Sequence, residues 1–256
     1  MPMKIDEEYR EKAEKAVDLI EDDLPIMALT GAGISVESSI PPFRGPGGLW
    51  ERYDPYEHGH IEMFRKHPER SWTMLREIID GALDSRPNEA HLALARMEKE
   101  GWVSPLITQN VDGLHLLAGT GSILEVHGNA RRMYCMGCGN RETIDQDNWG
   151  EFSIMCECGS VKRPDIVFFG EQLPERELDE VFRLAYSGRS LLVVGTSGLV
   201  HPVAMVPALV SAQGGRVIEI NPEPSEFTGS VSDVRISAAA TVGMSALEEA
   251  FRNRFS

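Results

Sequence analysis

All four cysteines of the chain fall within 24 positions, as Cys135-x-x-Cys138, seventeen intervening residues, and Cys156-x-Cys158. Thiols gathered this closely in a reducing compartment point to tetrahedral zinc, whose sulfur ligands must approach to ~2.3 Å. Gly139 and Gly159 follow the two pairs and permit the tight knuckles that turn amide groups towards sulfur. Four thiolates close the coordination shell and leave no position for water, so the expected metal is structural rather than catalytic. The second pair is one residue shorter than the usual C-x-x-C, and unliganded thiols or a redox pair are the competing readings.

A second group of residues suits a nucleotide. Gly31-Ala32-Gly33-Ile34-Ser35 follows a short apolar run, and such glycines let backbone amides approach a phosphate. As a dinucleotide fingerprint it is incomplete, because the third glycine position is Val36, and a plain tight turn is the alternative. Gln109-Asn110-Val111-Asp112, Gly195-Thr196-Ser197 and Asn221-Pro222-Glu223 each follow another apolar run. Thr196 and Ser197 offer small hydroxyls near phosphate or ribose, and Asn221 could hold a ribose hydroxyl. Taken singly, each is equally a cap or turn residue. Among the seven histidines, His127 stands apart. It ends an apolar run at Val126, precedes Gly128 and adjoins the cysteine region, where a general base could reach a cleft between two lobes.

Positioning these groups requires a particular scaffold. Ile26–Thr30, Val103–Thr108, Leu191–Val194 and Arg216–Ile220 are apolar runs without alternation, as expected of buried parallel strands. Helical periodicity spans Glu7–Asp22, Glu69–Leu83, Asn88–Glu100, Glu175–Ser187, Val203–Gln213 and Ser245–Arg254. The alternation predicts an α/β fold: a parallel sheet covered on both faces, with ligands beyond the carboxyl ends of the strands. All four polar motifs occupy those ends and converge on one crevice. We expect the large nucleotide-binding domain to comprise residues 1–35, 88–127 and 165–256. Residues 36–87 would form a cofactor loop and helical module, and 128–164 a zinc-binding module.

The 256 residues carry 25 basic and 40 acidic side chains, a net charge of −15. That balance argues against nonspecific nucleic-acid binding, which needs clustered cations. No run reaches the ~18 apolar residues of a membrane span, and the charged first residues do not read as a signal peptide, so a cytoplasmic protein is expected.

Together these motifs resemble the sirtuins, NAD-dependent protein-lysine deacylases. The similarity runs from Leu29 to about Leu247. It includes Thr30-Gly-Ala-Gly-Ile-Ser35, Ile40-Pro-Pro-Phe-Arg-Gly45, Thr108-Gln-Asn-Val-Asp112, Val126-His-Gly128, the cysteine quartet, Arg163-Pro-Asp-Ile-Val-Phe-Phe-Gly-Glu171, Gly195-Thr-Ser197 and Ile220-Asn-Pro222. The resemblance implies a Rossmann-like large domain with a smaller zinc-binding and helical domain, NAD as cosubstrate, one structural zinc held by Cys135, Cys138, Cys156 and Cys158, and an acyl-lysine peptide as partner. It assigns Gly31, Ala32, Gly33 and Ser35 to the cofactor site, and Phe43 and Arg44 to a mobile cofactor loop. Asn110 and Asp112 would line the nicotinamide pocket, with Gln109 on the ribose. Gly195, Thr196, Ser197 and Asn221 would hold the adenosine half, with Ala239 touching adenine. His127 would be the general base and Asn110 its catalytic companion. Val167, Phe168, Phe169, Gly170 and Glu171, with Leu199 and Val200, would flank the peptide as strands and read it through backbone hydrogen bonds.

Two departures from the family pattern stand out: Pro42 replaces the usual Asp or Thr before Phe-Arg, and Ser39 replaces the usual Gly before Ile40. Two rival functions share the fold, mono-ADP-ribosyl transfer and non-catalytic NAD binding. Retention of Asn110 and His127 favours deacylation. Members that favour succinyl- or malonyl-lysine carry Tyr-x-x-Arg in the helix lining the acyl pocket. Counting back from Pro87-Asn88 puts these positions at Leu75 and Ile78, so a neutral acyl group is expected, and Arg76 should point elsewhere.

Overall fold

The computed structural model describes residues 5–255; the first four residues of the expected large domain lie outside them. Six parallel strands form the main sheet: β1 (Ile26–Thr30), β2 (Val103–Thr108), β3 (Ile123–Glu125), β7 (Leu191–Val194), β8 (Val217–Ile220) and β9 (Val234–Ile236). Their spatial order is β3-β2-β1-β7-β8-β9. A smaller antiparallel sheet, β5-β4-β6, is built from β4 (Gly128–Cys135), β5 (Arg141–Thr143) and β6 (Lys162–Ile166).

β1, β7 and β8 are apolar throughout apart from Thr30 and Glu219 because every one of their residues is buried, with helices on both faces. Ile26, Ala28, Leu192, Val194, Ile218 and Ile220 pack against one layer, α1 (Glu7–Ile20), α5 (Glu89–Lys99) and α10 (Ala240–Phe255). Met27, Leu29, Leu191, Val193 and Val217 face the other, α8 (Glu175–Ala185) and α9 (Val206–Ala212). α1 presents Ala13, Ala16, Val17 and Ile20 on one stripe, and Asp6 caps its start by accepting from Glu8 N at 3.2 Å.

Residues from 36–87 and 128–164 share a third core. Leu49, Phe64, Trp72, Leu75 and Ile79 meet Met133 and Ile144 there. The helical contribution is α2 (Pro55–Gly59), α3 (Ile61–Lys66) and α4 (Pro68–Asp84). Two shorter helices, α6 (Leu114–Ala118) and α7 (Gln146–Trp149), complete the set. No helix among the described residues is long and apolar enough to cross a membrane.

Candidate active site

The loops that leave β1 and β7 touch backbone to backbone. A Cβ on Gly33 would fall 2.7 Å from the Gly195 carbonyl oxygen, closer than real contacts allow. Gly195 itself has φ +64°, a conformation that favours glycine. The floor where the two loops meet is therefore bare main chain, the surface a pyrophosphate needs, and the residues fit the nucleotide the motifs implied. Above it opens a cleft of about 900 Å³. Gly31, Ala32, Phe43, Arg44, Gln109, Asn110, His127, Thr196, Ser197 and Asn221 all line it.

Ser35 and Asp112 do not reach that cleft; they line a chamber of about 240 Å³ that shares Ala32, Phe43, Ile78, Asn110 and Val111 with it. A buried hydrogen-bond chain organises this chamber. Asn110 Nδ2 donates to Ser35 Oγ (3.1 Å), Ser35 Oγ donates to Asp112 Oδ2 (2.7 Å), and Leu114 N donates to Asp112 Oδ1 (2.8 Å). Burial pushes the Asp112 carboxyl up, opposed by the bonds from Leu114 and Ser35. Behind Ser35 stands His91, whose ring lies 3.4 Å from Ser35 Oγ and 3.0 Å from the N-cap residue Asn88. Burial lowers the His91 imidazole to about 4, keeping it neutral. Asn88 also donates to the Ile34 carbonyl at 2.8 Å, fixing the turn that carries Ser35. The sequence reading singled out only His127 among the histidines; the spacing Asn88-x-x-His91 at a helix start was the available signal for His91. Ser39, where the family usually has glycine, indeed sits in left-handed backbone at φ +67°.

His127 lies at the end of β3's extension. Its Nδ1–H donates to the Gln109 carbonyl at 2.9 Å. A carbonyl can only accept, so the bond fixes the tautomer and leaves Nε2 as the lone-pair nitrogen. Burial lowers the imidazole below its usual ~6.5, and the Gln109 bond offsets part of that shift. Gly128 at φ +81° lets β4 start immediately beyond, where any Cβ would fall 2.0 Å from the Asp165 carbonyl oxygen.

Strand β4 runs from Gly128 to Cys135, joining the histidine directly to the cysteine cluster. All four ligand atoms lie within 4.8 Å of one another. Cys135 and Cys158 sulfurs stand 3.4 Å apart, and Cys138 and Cys156 sulfurs 3.7 Å. Tetrahedral zinc with ~2.3 Å bonds separates its sulfurs by about 3.8 Å, so the quartet fits one structural zinc. Gly139 N donates to the Cys135 carbonyl (3.0 Å) and Gly159 N to the Cys156 carbonyl (2.9 Å), closing the two knuckles. Because metal binding and folding of such a module are coupled, Cys138→Ala should lose zinc and lower the melting temperature. Metal analysis and a thermal melt check this; stoichiometric zinc with unchanged melting would contradict the four-thiolate site.

Val167, Phe168, Phe169, Gly170, Glu171 and Val200 line the cleft opposite the glycine loops. In the structure these residues belong to no strand. β6 ends at Ile166, and beyond it only Phe169 forms a bridge, with His60. Glu171 is also occupied: Arg163, buried beneath the segment, donates to both of its oxygens at 2.7 Å, and Phe168 N donates at 2.9 Å. Its role is to hold the segment's shape. Leu199 is exposed beside the cleft, and Ala239 lies outside its lining, just before α10.

Among the lining residues that escaped sequence reasoning are Trp50 and Met74. Trp50 stands between Phe43 and Phe169, with ring centroids 5.7 Å from each. On α4, Met74 and Ile78 face the cleft, whereas Leu75 is fully buried in the core. Of the two positions counted from Pro87, Ile78 lines the cleft and Leu75 lies in the core. Arg76 points away, its guanidinium 5.4 Å from the Trp149 ring centre and 6.0 Å from that of Trp72.

This arrangement has close counterparts. The model of the Sir2 family matches residues 31–202. An NAD-dependent protein deacylase of Pyrococcus furiosus is 47% identical over 208 residues, covering 79% of this chain and 83% of the relative. An NAD-dependent protein deacetylase of Sulfolobus acidocaldarius is 40% identical over 221 residues, 85% of this chain and 86% of the relative. Among solved structures, a Sir2 homologue in complex with NAD superposes with a TM-score of 0.84 at 36% identity, over 99% of this chain and 96% of that one. A Sir2 variant with a deacetylated p53 peptide and 3′-O-acetyl ADP-ribose gives 0.85 at 34% identity, over 92% and 97%. With its glycine floor, buried Asn110–Ser35–Asp112 chain, cleft-lining His127 and cysteine quartet in the family's order, the chain belongs to the Sir2 family.

Proposed function

We propose that the protein is an NAD-dependent protein-lysine deacylase. One observation carries this reading: His127 lies in the cleft that the glycine loops and the 167–171 segment both line, with Nδ1–H committed to Gln109 and Nε2 unprotonated. When bound, NAD supplies an electrophilic ribose carbon, nicotinamide as leaving group and the hydroxyl that finally carries the acyl group.

The chain's own residues divide the remaining work. Gly31, Ala32 and Gly33 bind the pyrophosphate, while Thr196, Ser197 and Asn221 hold the adenosine half. The Asn110–Ser35–Asp112 chain fixes the carboxamide of nicotinamide, and Gln109 contacts the ribose. Val167–Gly170 and Leu199–Val200 align an extended acyl-lysine segment by main-chain pairing, so that the acyl oxygen reaches the ribose carbon. Phe43 covers the reacting carbon and excludes water, which would otherwise hydrolyse the cosubstrate. His127 Nε2 accepts a proton from a ribose hydroxyl, so that oxygen can attack the acyl carbon. With one water consumed in the last step, after nicotinamide has left and as the lysine amine is released, the products are free lysine, nicotinamide and 2′-O-acyl-ADP-ribose. Residues 1–35, 88–127 and 165–256 act as the nucleotide lobe and 36–87 with 128–164 as the smaller one. A cytoplasmic location suits four thiols kept as metal ligands.

Mass spectrometry of an acetyl-lysine peptide incubated with and without NAD tests the reading. NAD-dependent loss of the acetyl group is expected. Gain of an ADP-ribosyl group on the peptide, or no change with NAD present, would overturn it.

A further inference from the structure

Near the adenosine end of the cleft lies a buried carboxylate to which the reaction gives no task. Glu219 belongs to β8, is fully buried, and sits between the core residues Ile218 and Ile220. Three hydroxyls donate to it: Ser225 Oγ at 2.6 Å, Thr228 Oγ1 at 3.0 and 2.9 Å, and Ser232 Oγ at 2.8 Å. Strand pairing sets Glu219 beside Arg235 on β9, whose guanidinium donates to the Asn221 and Pro222 carbonyls. A carboxylate withdrawn from water is costly, so its presence asks what the three hydroxyls hold.

They hold the 221–233 loop between β8 and β9. Within that loop Phe227 N donates to Ser225 Oγ (3.2 Å) and Ser225 N to Thr228 Oγ1 (3.0 Å). Both hydroxyls therefore accept from the main chain while donating to Glu219. Only a group that accepts from every hydroxyl leaves their lone pairs free for those amides. An ionised carboxylate meets that condition, and a glutamine amide, with its own N–H donors, meets it in part.

The turn so fixed leans on the loop after β7. Glu226 N donates to the Ser197 carbonyl at 3.2 Å, and the Phe227 ring lies where a Cβ on Gly198 would come within 2.8 Å. Asn221 Nδ2 donates to the Thr196 carbonyl at 3.0 Å. Thr196, Ser197 and Asn221 are thus tied to a loop whose shape Glu219 sets from beneath.

The geometry assigns Glu219 as a positioning residue for the adenosine half of NAD. It touches no ligand; it holds the loop against which Thr196, Ser197 and Asn221 are set. This rests on the reading that those three residues bind the adenosine half.

The test compares wild type with Glu219→Ala, Glu219→Gln and Ser232→Ala. ADP-ribose affinity is measured by calorimetry, and KM for NAD, KM for an acetyl-lysine peptide and kcat by product formation. Glu219→Ala should weaken ADP-ribose binding and raise the NAD KM by about tenfold or more, with kcat at saturating NAD and the peptide KM within about twofold. Glu219→Gln should recover part of the affinity, and Ser232→Ala should shift the NAD KM in the same direction by less. If Glu219→Ala does not fold, the other two variants decide. Unchanged ADP-ribose affinity in all folded variants would overturn the inference, as would equal losses in kcat, peptide KM and NAD KM. Failure of wild type to bind ADP-ribose would instead overturn the functional reading itself.

Discussion

Replacing His127 with alanine should cut turnover by about a hundredfold to ten-thousandfold, the range typical for losing a positioned general base. ADP-ribose binding should survive, because the glycine loops and the Asn110–Ser35–Asp112 chain make no hydrogen bond to the imidazole. The comparison needs kcat and an ADP-ribose titration on the same preparation. Persistent turnover would identify a different base. The wild-type pH profile adds a sign. Neutral imidazole is the working form, and burial lowers its affinity for protons. Activity should therefore hold through ~6.5, the ordinary histidine value, and fall only as pH drops through the lowered value. An acidic limb centred above that value would contradict the burial argument.

The second large effect concerns the acyl group. Met74 and Ile78 give α4's contribution to the cleft an apolar surface, and the adjoining chamber carries Glu77 and Asp80. Among the described lining residues of the cleft, Arg44 is the only Lys or Arg, and it stands exposed on the cofactor loop. A succinyl carboxylate would enter without a cationic partner and near two like charges, which costs several kcal/mol. An acetyl group meets no such penalty. We expect kcat/KM on an acetyl peptide to exceed that on its succinyl counterpart by at least about a hundredfold, a barrier difference of ~2.7 kcal/mol. Ile78→Arg should narrow the gap by supplying the missing cation. Comparable kcat/KM on both peptides with wild type would show that another group pairs with the carboxylate.

What was legible in the sequence follows from which interactions are local. β1, β2 and β7 matched their apolar runs, and β8 began one residue late, because continuous apolar runs are what burial on both faces requires. β9 went unread: it has three residues, and partly exposed Arg235 breaks the apolar run. α10 starts at Ala240, five residues before the periodicity at Ser245 becomes clear. Its first turns are small residues, and Gly243 packs so closely on Ile220 that a Cβ would sit 2.4 Å from the Ile220 side chain. In the smaller sheet, β6 reads Lys-Arg-Pro-Asp-Ile, which carries no strand pattern; pairing with β4 and the burial of Arg163 make it one.

The site shows the same division. Its glycine, asparagine, histidine and cysteine motifs are contiguous in sequence and were readable as units. Counting from Pro87 fixes a position along α4 but not the face it occupies, and the fold buries Leu75 while Met74 and Ile78 line the cleft. The tie between Glu171 and Arg163 was not readable, because the two are eight residues apart across a bend. Glu219 looked like an ordinary polar residue in a strand; its three hydroxyl partners come from a loop without a periodic signal. Long-range partners, rather than residue types, were what the sequence left open.

The most direct measurement of the central claim is a product balance on wild type with NAD and an acetyl-lysine peptide, taken at early times. Nicotinamide, deacetylated peptide and O-acetyl-ADP-ribose should appear in equal amounts, and nicotinamide should not accumulate when the unacetylated peptide is supplied. Nicotinamide released alongside plain ADP-ribose and free acetate, or alongside ADP-ribosylated peptide, would contradict it.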